Sequence, residues 1–201
     1  MPKVSIIDYK IGNIFSMKNA LQRAGLTVEV NSEPIKIINS DAIVLPGVGN
    51  FGVAAKNLEP LKATLLDCAL QGRPFLGSCL GMQLLFDDSE EAVGRGLSLI
   101  RGFVKRFQEG LKTPHMGWNN IAVKKPCELL EELDENSYFY FVHSYYPEPK
   151  DVEVVAAETS YGVSFASIIA KENIYGCQFH PEKSGRDGAT LLRNFASILK
   201  R

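Results

Sequence analysis

Short apolar runs, each closed by a turn residue, alternate with stretches of helical periodicity through the first half of this chain, and that alternation limits the folds open to it. Val4 to Asp8 reads as a buried strand. Ile14, Met17, Leu21 and Ala24 then recur at the spacing of one helix face, and Gly25 supplies the stop. Thr27 to Val30 and Ala42 to Leu45 are further strands, the second ended by Pro46-Gly47-Val48-Gly49. A helical stretch from about Val53 to Leu70, broken at Pro60, precedes the short strand Phe75 to Ser78, and helix formers resume from Leu80 to Phe86. Alternation of this kind builds a parallel sheet, because parallel neighbours need a crossover long enough to hold a helix.

The second half is richer in strands. Phe103 to Phe107, Asn120 to Val123, Tyr138 to Val142, Val152 to Ala156, Phe165 to Ala170 and Ile174 to Phe179 all read as extended. Leu191, Leu192, Phe195, Ile198 and Leu199 make the apolar stripe of a closing helix. The expected fold is α/β: an open, mostly parallel central sheet flanked by helices, with a strand-rich second half. No Pro/Gly/Ser linker divides the sequence, so residues 1–201 are expected to form a single domain, large enough for one buried core.

Bulk properties exclude several classes of function. A hydrophobic fraction of 45% and a charged fraction of 22% are those of a soluble globular protein. A net charge of -1 gives no reason to expect nucleic acid or an anionic membrane as partner. The first apolar run is too short and too soon acidic for a signal peptide, and no apolar stretch approaches bilayer length, so a cytoplasmic location is expected. Cys68, Cys79, Cys127 and Cys177 form no Cys-x-x-Cys pair, and His115, His143 and His180 are equally scattered. Neither a metal site nor any other cofactor is expected. An isolated cysteine is ordinarily a small buried apolar residue, so local context must single one out.

Cys79 has that context. Phe75-Leu76-Gly77-Ser78-Cys79-Leu80-Gly81-Met82-Gln83 is a strand, a sharp turn and a helix, with glycines two residues either side of the cysteine. This is the form of a nucleophile elbow. Helix N-terminal amides favour the thiolate, and the Leu80 N–H can face the oxygen of an attacked carbonyl. His180 ends the last strand in Phe179-His180-Pro181-Glu182-Lys183-Ser184. The following proline biases it to extended backbone, which predicts that Glu182, two residues on, projects from the same side and accepts a hydrogen bond from one ring nitrogen. The other nitrogen is then free for a thiol, the logic of a hydrolytic triad. The Gly47-Val48-Gly49 loop can present backbone N–H groups as a second oxyanion donor; no Lys-Ser/Thr follows it, which argues against a phosphate loop.

Gly77-Ser78-Cys79-Leu80-Gly81-Met82-Gln83 with His180-Pro181-Glu182 resembles the triad-type, class I glutamine amidotransferases. Asp8-Tyr9-Lys10-Ile11-Gly12-Asn13, Leu45-Pro46-Gly47-Val48-Gly49, Pro114-His115-Met116-Gly117-Trp118-Asn119, His143-Ser144-Tyr145-Tyr146 and His180-Pro181-Glu182-Lys183-Ser184 narrow the resemblance to the glutaminase subunits of imidazole glycerol phosphate synthases, of histidine biosynthesis. The resemblance implies that Cys79 is the nucleophile, His180 the general base and acid, and Glu182 its orienting partner. It implies an oxyanion hole from Leu80 and the Gly47, Val48, Gly49 loop. It places L-glutamine on Gln83, Glu91, His143, Ser144 and Tyr145. Asn13, Trp118 and Tyr140 would face a (β/α)₈-barrel cyclase in a heterodimer. Lys10, where the pattern more often has glycine, and Ser78, where it usually has Val or Ile, are departures. Apart from the resemblance, His143 reads as a hydrogen-bonded strand-end histidine, Trp118 as core, and Tyr138 to Phe141 as an ordinary half-buried strand. The rival functions are a glutaminase serving another synthase and a γ-glutamyl cysteine hydrolase with the same elbow.

Overall fold

The structure is a computed structural model that describes residues 1–200. Its first half runs β1 (Lys3–Ile7), α1 (Ile14–Arg23), β2 (Thr27–Asn31), α2 (Pro34–Ile38), β3 (Ala42–Leu45), α3 (Phe51–Leu58), α4 (Lys62–Leu70), β4 (Phe75–Ser78) and α5 (Leu80–Gln83). Local chemistry explains the boundaries. The Asn13 side chain accepts the Ser16 N–H at 3.3 Å and caps α1, and Gly25, at φ +88°, turns the chain out after it. Pro60 divides the next helical stretch as expected. It lacks the N–H that a helix interior needs, so a 3-10 turn over Glu59–Leu61 joins α3 to α4.

The second half contains β5 (Asp88–Ser89), β6 (Gly102–Arg106), β7 (His115–Asn120), β8 (Ala122–Val123), β9 (Tyr138–His143), β10 (Tyr145–Pro149), β11 (Val155–Tyr161), β12 (Val163–Lys171), β13 (Ile174–Cys177) and α6 (Gly185–Ile198). Among the described residues, eight strands form the main sheet in the order β2-β1-β3-β4-β13-β12-β11-β8. The five from β2 to β13 run parallel, and β12, β11 and β8 extend the sheet antiparallel. The remaining strands make two small sheets, β10-β6-β5 and the antiparallel pair β7-β9. No helix among the described residues is long and apolar enough to cross a membrane.

Helices cover both faces of the parallel part, which is why its inner strands are predominantly apolar, whereas edge strand β2 carries Glu29 and Asn31. Val4, Ile6 and Val44 pack with Met17 and Leu21 of α1 and with Leu191 and Phe195 of α6. Ile7, Ile43 and Leu45 point the other way, onto Phe51 and Leu58 of α3 and Leu65 of α4. Each such side chain contributes about 1.5–3 kcal/mol on burial.

Three local readings differ. The helix expected from Leu80 to Phe86 stops at Gln83. The carbonyls of Leu84, Leu85 and Phe86 accept instead from Leu97, Ile100 and Ser98 at 2.7, 3.0 and 3.2 Å, so they are withdrawn from any helical ladder. The strand expected from Val152 begins at Val155, because the Asp151 carboxylate accepts the Glu153 N–H at 3.0 Å and winds Val152–Val154 into a 3-10 turn. The single strand expected from Asn120 to Val123 is two: Asn120 closes β7, and Ala122–Val123 joins the edge of the main sheet. None of these disturbs the adjacency of β3, β4 and β13, whose carboxyl ends carry the glycine loop, Cys79 and His180, the edge where α/β sheets place ligands.

Candidate active site

Cys79 leaves β4 at φ +54°, ψ −113°. Left-handed backbone costs a non-glycine residue roughly 1–2 kcal/mol, and neighbouring contacts hold this one in place. Its N–H donates to the Cys177 carbonyl at 2.8 Å, and its carbonyl accepts from Gln83 at 3.1 Å. The flanking glycines are there because nothing larger fits. A Cβ on Gly77 would lie 2.7 Å from the Gly81 carbonyl oxygen, and one on Gly81 would overlap the Leu45 carbonyl oxygen. Gly47 is hemmed in by the Tyr9 hydroxyl and by Leu80. β3, β4 and α5 thus touch backbone to backbone beneath the thiol. Leu80, first in α5, has one of the amides that a helix start leaves without an internal partner.

His180 follows β13 in extended geometry, φ −102° and ψ 94°, as its proline neighbour requires. The route to Glu182 differs from the expected one. Pro181–Lys183 wind into a 3-10 turn, and this turn, rather than strand alternation, swings the carboxylate back. Nδ1 of His180 donates to Oε1 of Glu182 at 2.9 Å, with 3% of either side chain exposed. Burial alone would lower the His180 pKa, but the charge of neighbouring Cys79 and the hydrogen bond and charge of Glu182 outweigh it and raise the value to about 9. At neutral pH the imidazole therefore holds its proton. Its Nε2 is buried with no hydrogen-bond partner, as is the second oxygen of Glu182.

A cavity of about 270 Å³ opens onto the thiol. Every expected glutamine-binding residue lines it: Gln83, Glu91, His143, Ser144 and Tyr145. So do Cys79, Leu80, Val48 and Gly49, together with the unanticipated Pro114 and Val142. Gly47 is not in the lining, and neither are His180 and Glu182. Gln83 gives both amide hydrogens to protein, at 2.9 Å to the Tyr145 carbonyl and 3.1 Å to Oε1 of Gln178. Only its own oxygen is left to accept from a ligand. One oxygen of Glu91 accepts the Phe51 N–H at the start of α3 at 2.6 Å, leaving the other for the cavity. His143 is the hydrogen-bonded strand-end histidine expected of it, with Nδ1 2.8 Å from the Tyr145 carbonyl. Gln178 was not anticipated. It is wholly buried, with Nε2 3.7 Å from Cys79 Sγ, and its place two residues before His180 on one extended run was the available signal.

The two departures are accommodated. Lys10 takes the left-handed conformation at φ +65°, with its N–H on Oδ1 of Asp8 at 3.0 Å and its ammonium 3.3 Å from Oδ2. Ser78 directs its hydroxyl to the Phe179 carbonyl at 3.2 Å. Asn13 is exposed at the head of α1, and Tyr140 is half-buried on β9. Trp118 is 56% exposed, which overturns the core reading of that residue. It stands opposite Tyr140 in the β7-β9 pair, with ring centroids 6.1 Å apart. Among the described residues no group of three or more His, Cys, Asp or Glu is placed to hold a metal ion.

Solved structures with the same fold include PurLQS from Thermotoga maritima, with TM-score 0.79 at 17% identity, covering 98% of this chain and 99% of that one. A glutamine amidotransferase, also from Thermotoga maritima, gives TM-score 0.68 at 15% identity, covering 99% and 84%. Sequence relatives are much nearer. The imidazole glycerol phosphate synthase subunit HisH of Methanothermobacter thermautotrophicus is 49% identical, covering 98% of this chain and 99% of the relative. That of Pyrococcus furiosus is 47% identical, covering 98% and 100%. The family described as glutamine amidotransferase class-I matches residues 5–199. With its elbow cysteine, its paired His180 and Glu182 and that near-complete match, this chain belongs to the class-I glutamine amidotransferase family.

Proposed function

We propose that residues 1–201 are one amidotransferase domain, the glutaminase subunit of an imidazole glycerol phosphate synthase that hydrolyses L-glutamine and passes ammonia to a barrel cyclase. The observation that carries the chemistry is the placement of Cys79 in left-handed backbone one strand away from the buried His180–Glu182 pair, with a cavity open to its sulfur. In this reading the Cys79 thiolate attacks the side-chain amide carbon of glutamine, and the Leu80 N–H and the Val48–Gly49 backbone receive the oxyanion. Protonated His180 gives its proton to the leaving nitrogen, ammonia departs, and a thioester remains. His180 then takes a proton from water as that water attacks the thioester, releasing glutamate and restoring the thiolate–imidazolium pair. The Gln83 oxygen and the free Glu91 oxygen accept from the substrate ammonium.

The choice of synthase rests on identities of 46–49% to HisH subunits over nearly the full length of each chain. Exposed Trp118, Met116 and Phe15 supply apolar surface for a partner. Gly12, beside Asn13, packs its backbone on Gly47 and Pro46, so a partner touching Asn13 presses on the oxyanion loop. Glutamate release measured for the chain alone, with a barrel cyclase, and with cyclase plus its nucleotide ligand tests both parts. Release that ignores the cyclase overturns the partner; release that survives Cys79→Ser overturns the triad.

A further inference from the structure

Cys79 Sγ has a polar neighbour that the triad does not use. Gln178 lies on the run that leads to His180, is wholly buried, and has its Nε2 3.7 Å from the sulfur. A side-chain amide can flip, and the two orientations have opposite consequences. Nitrogen toward sulfur steadies a thiolate; oxygen toward sulfur repels it.

Neighbouring groups allow only one orientation. The Tyr145 backbone carbonyl can only accept. Gln83 must therefore turn its Nε2 toward it, at 2.9 Å, and its second N–H then meets Oε1 of Gln178 at 3.1 Å. With Oε1 so engaged, Gln178 has only nitrogen to offer Cys79. The other lone pair of the Tyr145 carbonyl takes Nδ1–H of His143 at 2.8 Å. That leaves His143 Nε2 as acceptor for Nδ1–H of His115 at 3.1 Å, and His115 Nε2 as acceptor for the Asn119 amide at 3.3 Å. A single assignment of hydrogens satisfies every link, and it requires both histidines to be neutral. Burial lowers their pKa values to about 4 for His115 and about 3 for His143.

We propose that Gln178 is a further catalytic residue that steadies the Cys79 thiolate through its side-chain N–H, that Gln83 is the positioning residue that fixes which way its amide points, and that His143, His115 and Asn119 are positioning residues that hold in place the Tyr145 carbonyl on which Gln83 is oriented. The proposal rests on Cys79 being the nucleophile. Its far end, Asn119, follows exposed Trp118 on β7 but projects from the opposite face, the one that carries His115, so the chain runs along the covered face of the β7-β9 pair to the sulfur.

The charge state of Cys79 is the readout. The other titratable groups around it are His180, with Glu182 behind; Tyr9 and Cys177, both kept neutral by burial; neutral His143; and Glu91 across the cavity. The rate of iodoacetamide alkylation of the full chain is followed against pH, with Cys79→Ser identifying the Cys79 signal. Gln178→Met keeps the size and removes the donor. It should raise the alkylation midpoint by about one pH unit and lower kcat/KM for glutamine about tenfold at neutral pH in the cyclase complex. Gln178→Glu, of the same shape, should raise the midpoint further. His115→Phe keeps the ring packing against Phe141 and Tyr161 but cuts the chain, and should move the midpoint the same way by less. The unaltered protein offers a check that needs no substitution: the Gln178 side-chain N–H resonances should titrate with the alkylation midpoint. A midpoint unmoved in both Gln178 variants, or resonances that ignore it, overturns the catalytic role of Gln178. An unmoved midpoint in His115→Phe overturns the positioning chain. If Cys79→Ser keeps full glutaminase activity, the triad itself falls, a result distinct from the others.

Discussion

Gly81 passes so close beneath the Leu45 carbonyl that a Cβ on it would overlap the oxygen. Both partners are backbone, so the clash cannot be relieved by a side-chain rotation. Gly81→Ala should therefore separate β3 from α5, at a cost of about 3 kcal/mol or more, and displace the elbow. Alanine at Gly110, where a Cβ meets nothing within 4 Å, carries only the left-handed penalty of roughly 1–2 kcal/mol. Denaturant unfolding of the two variants measures the contrast. Equal losses would show that the close approach is not what holds the elbow.

The His180–Glu182 pair makes a kinetic prediction. Glu182→Gln keeps the size but removes the charge that helps His180 hold its proton. Turnover should fall by about a hundredfold or more, with the KM for glutamine changing little, and the His180 imidazole should titrate below the parent value of about 9 in an NMR experiment. A change confined to KM would reassign Glu182 to substrate binding.

Exposed Trp118, with half-buried Tyr140 opposite it, is expected to anchor the partner. Removing a large exposed ring leaves no core cavity, so Trp118→Ala should keep the thermal midpoint of the free chain within a degree or two. It should nonetheless weaken the complex by about 2 kcal/mol, roughly thirtyfold in Kd. Titration calorimetry against the cyclase decides this; unaltered affinity would move the interface elsewhere.

What the sequence made legible is what short-range rules govern. The β/α alternation located β1 to β4, and the paired glycines located the elbow, because a turn tight enough to lift Cys79 excludes side chains at Gly77 and Gly81. His180-Pro181-Glu182 indicated the hydrogen-bonded pair of His180 and Glu182 but not the path between them, since a proline followed by Glu-Lys is free to wind into a 3-10 turn. The termination of α5 depends on carbonyls of Leu84 to Phe86 being claimed from residues 97–100, a tertiary event with no local signature. The exposure of Trp118 is of the same kind, because an alternating strand does not declare which face is covered. The Asn119–His115–His143–Tyr145–Gln83–Gln178 chain joins four separate segments and could not be read from any one of them.

Opposite pKa shifts among the three histidines contribute to how stability depends on pH around neutrality. In the unfolded chain each titrates near 6.5. In the folded protein His180 is raised to about 9, whereas His115 and His143 are lowered to about 4 and about 3. Between pH 6.5 and 9 the folded state binds a proton on His180 that the unfolded state has lost. Unfolding there releases a proton, and the stabilisation due to His180, complete below 6.5, fades as pH rises through 9. Between pH 6.5 and 4 the sign reverses. His180 is charged in both states and drops out, while His115 and His143 take up protons only on unfolding, so stability falls as the solution is acidified. Calorimetric unfolding in buffers of different ionisation enthalpy counts the protons exchanged. Near pH 5.5, above the range where most carboxylates titrate, it should show uptake approaching two. His115→Phe should roughly halve this uptake, and Glu182→Gln should leave it unchanged. Uptake near zero at pH 5.5 would mean that the buried pair His115 and His143 does not stay neutral in the folded protein.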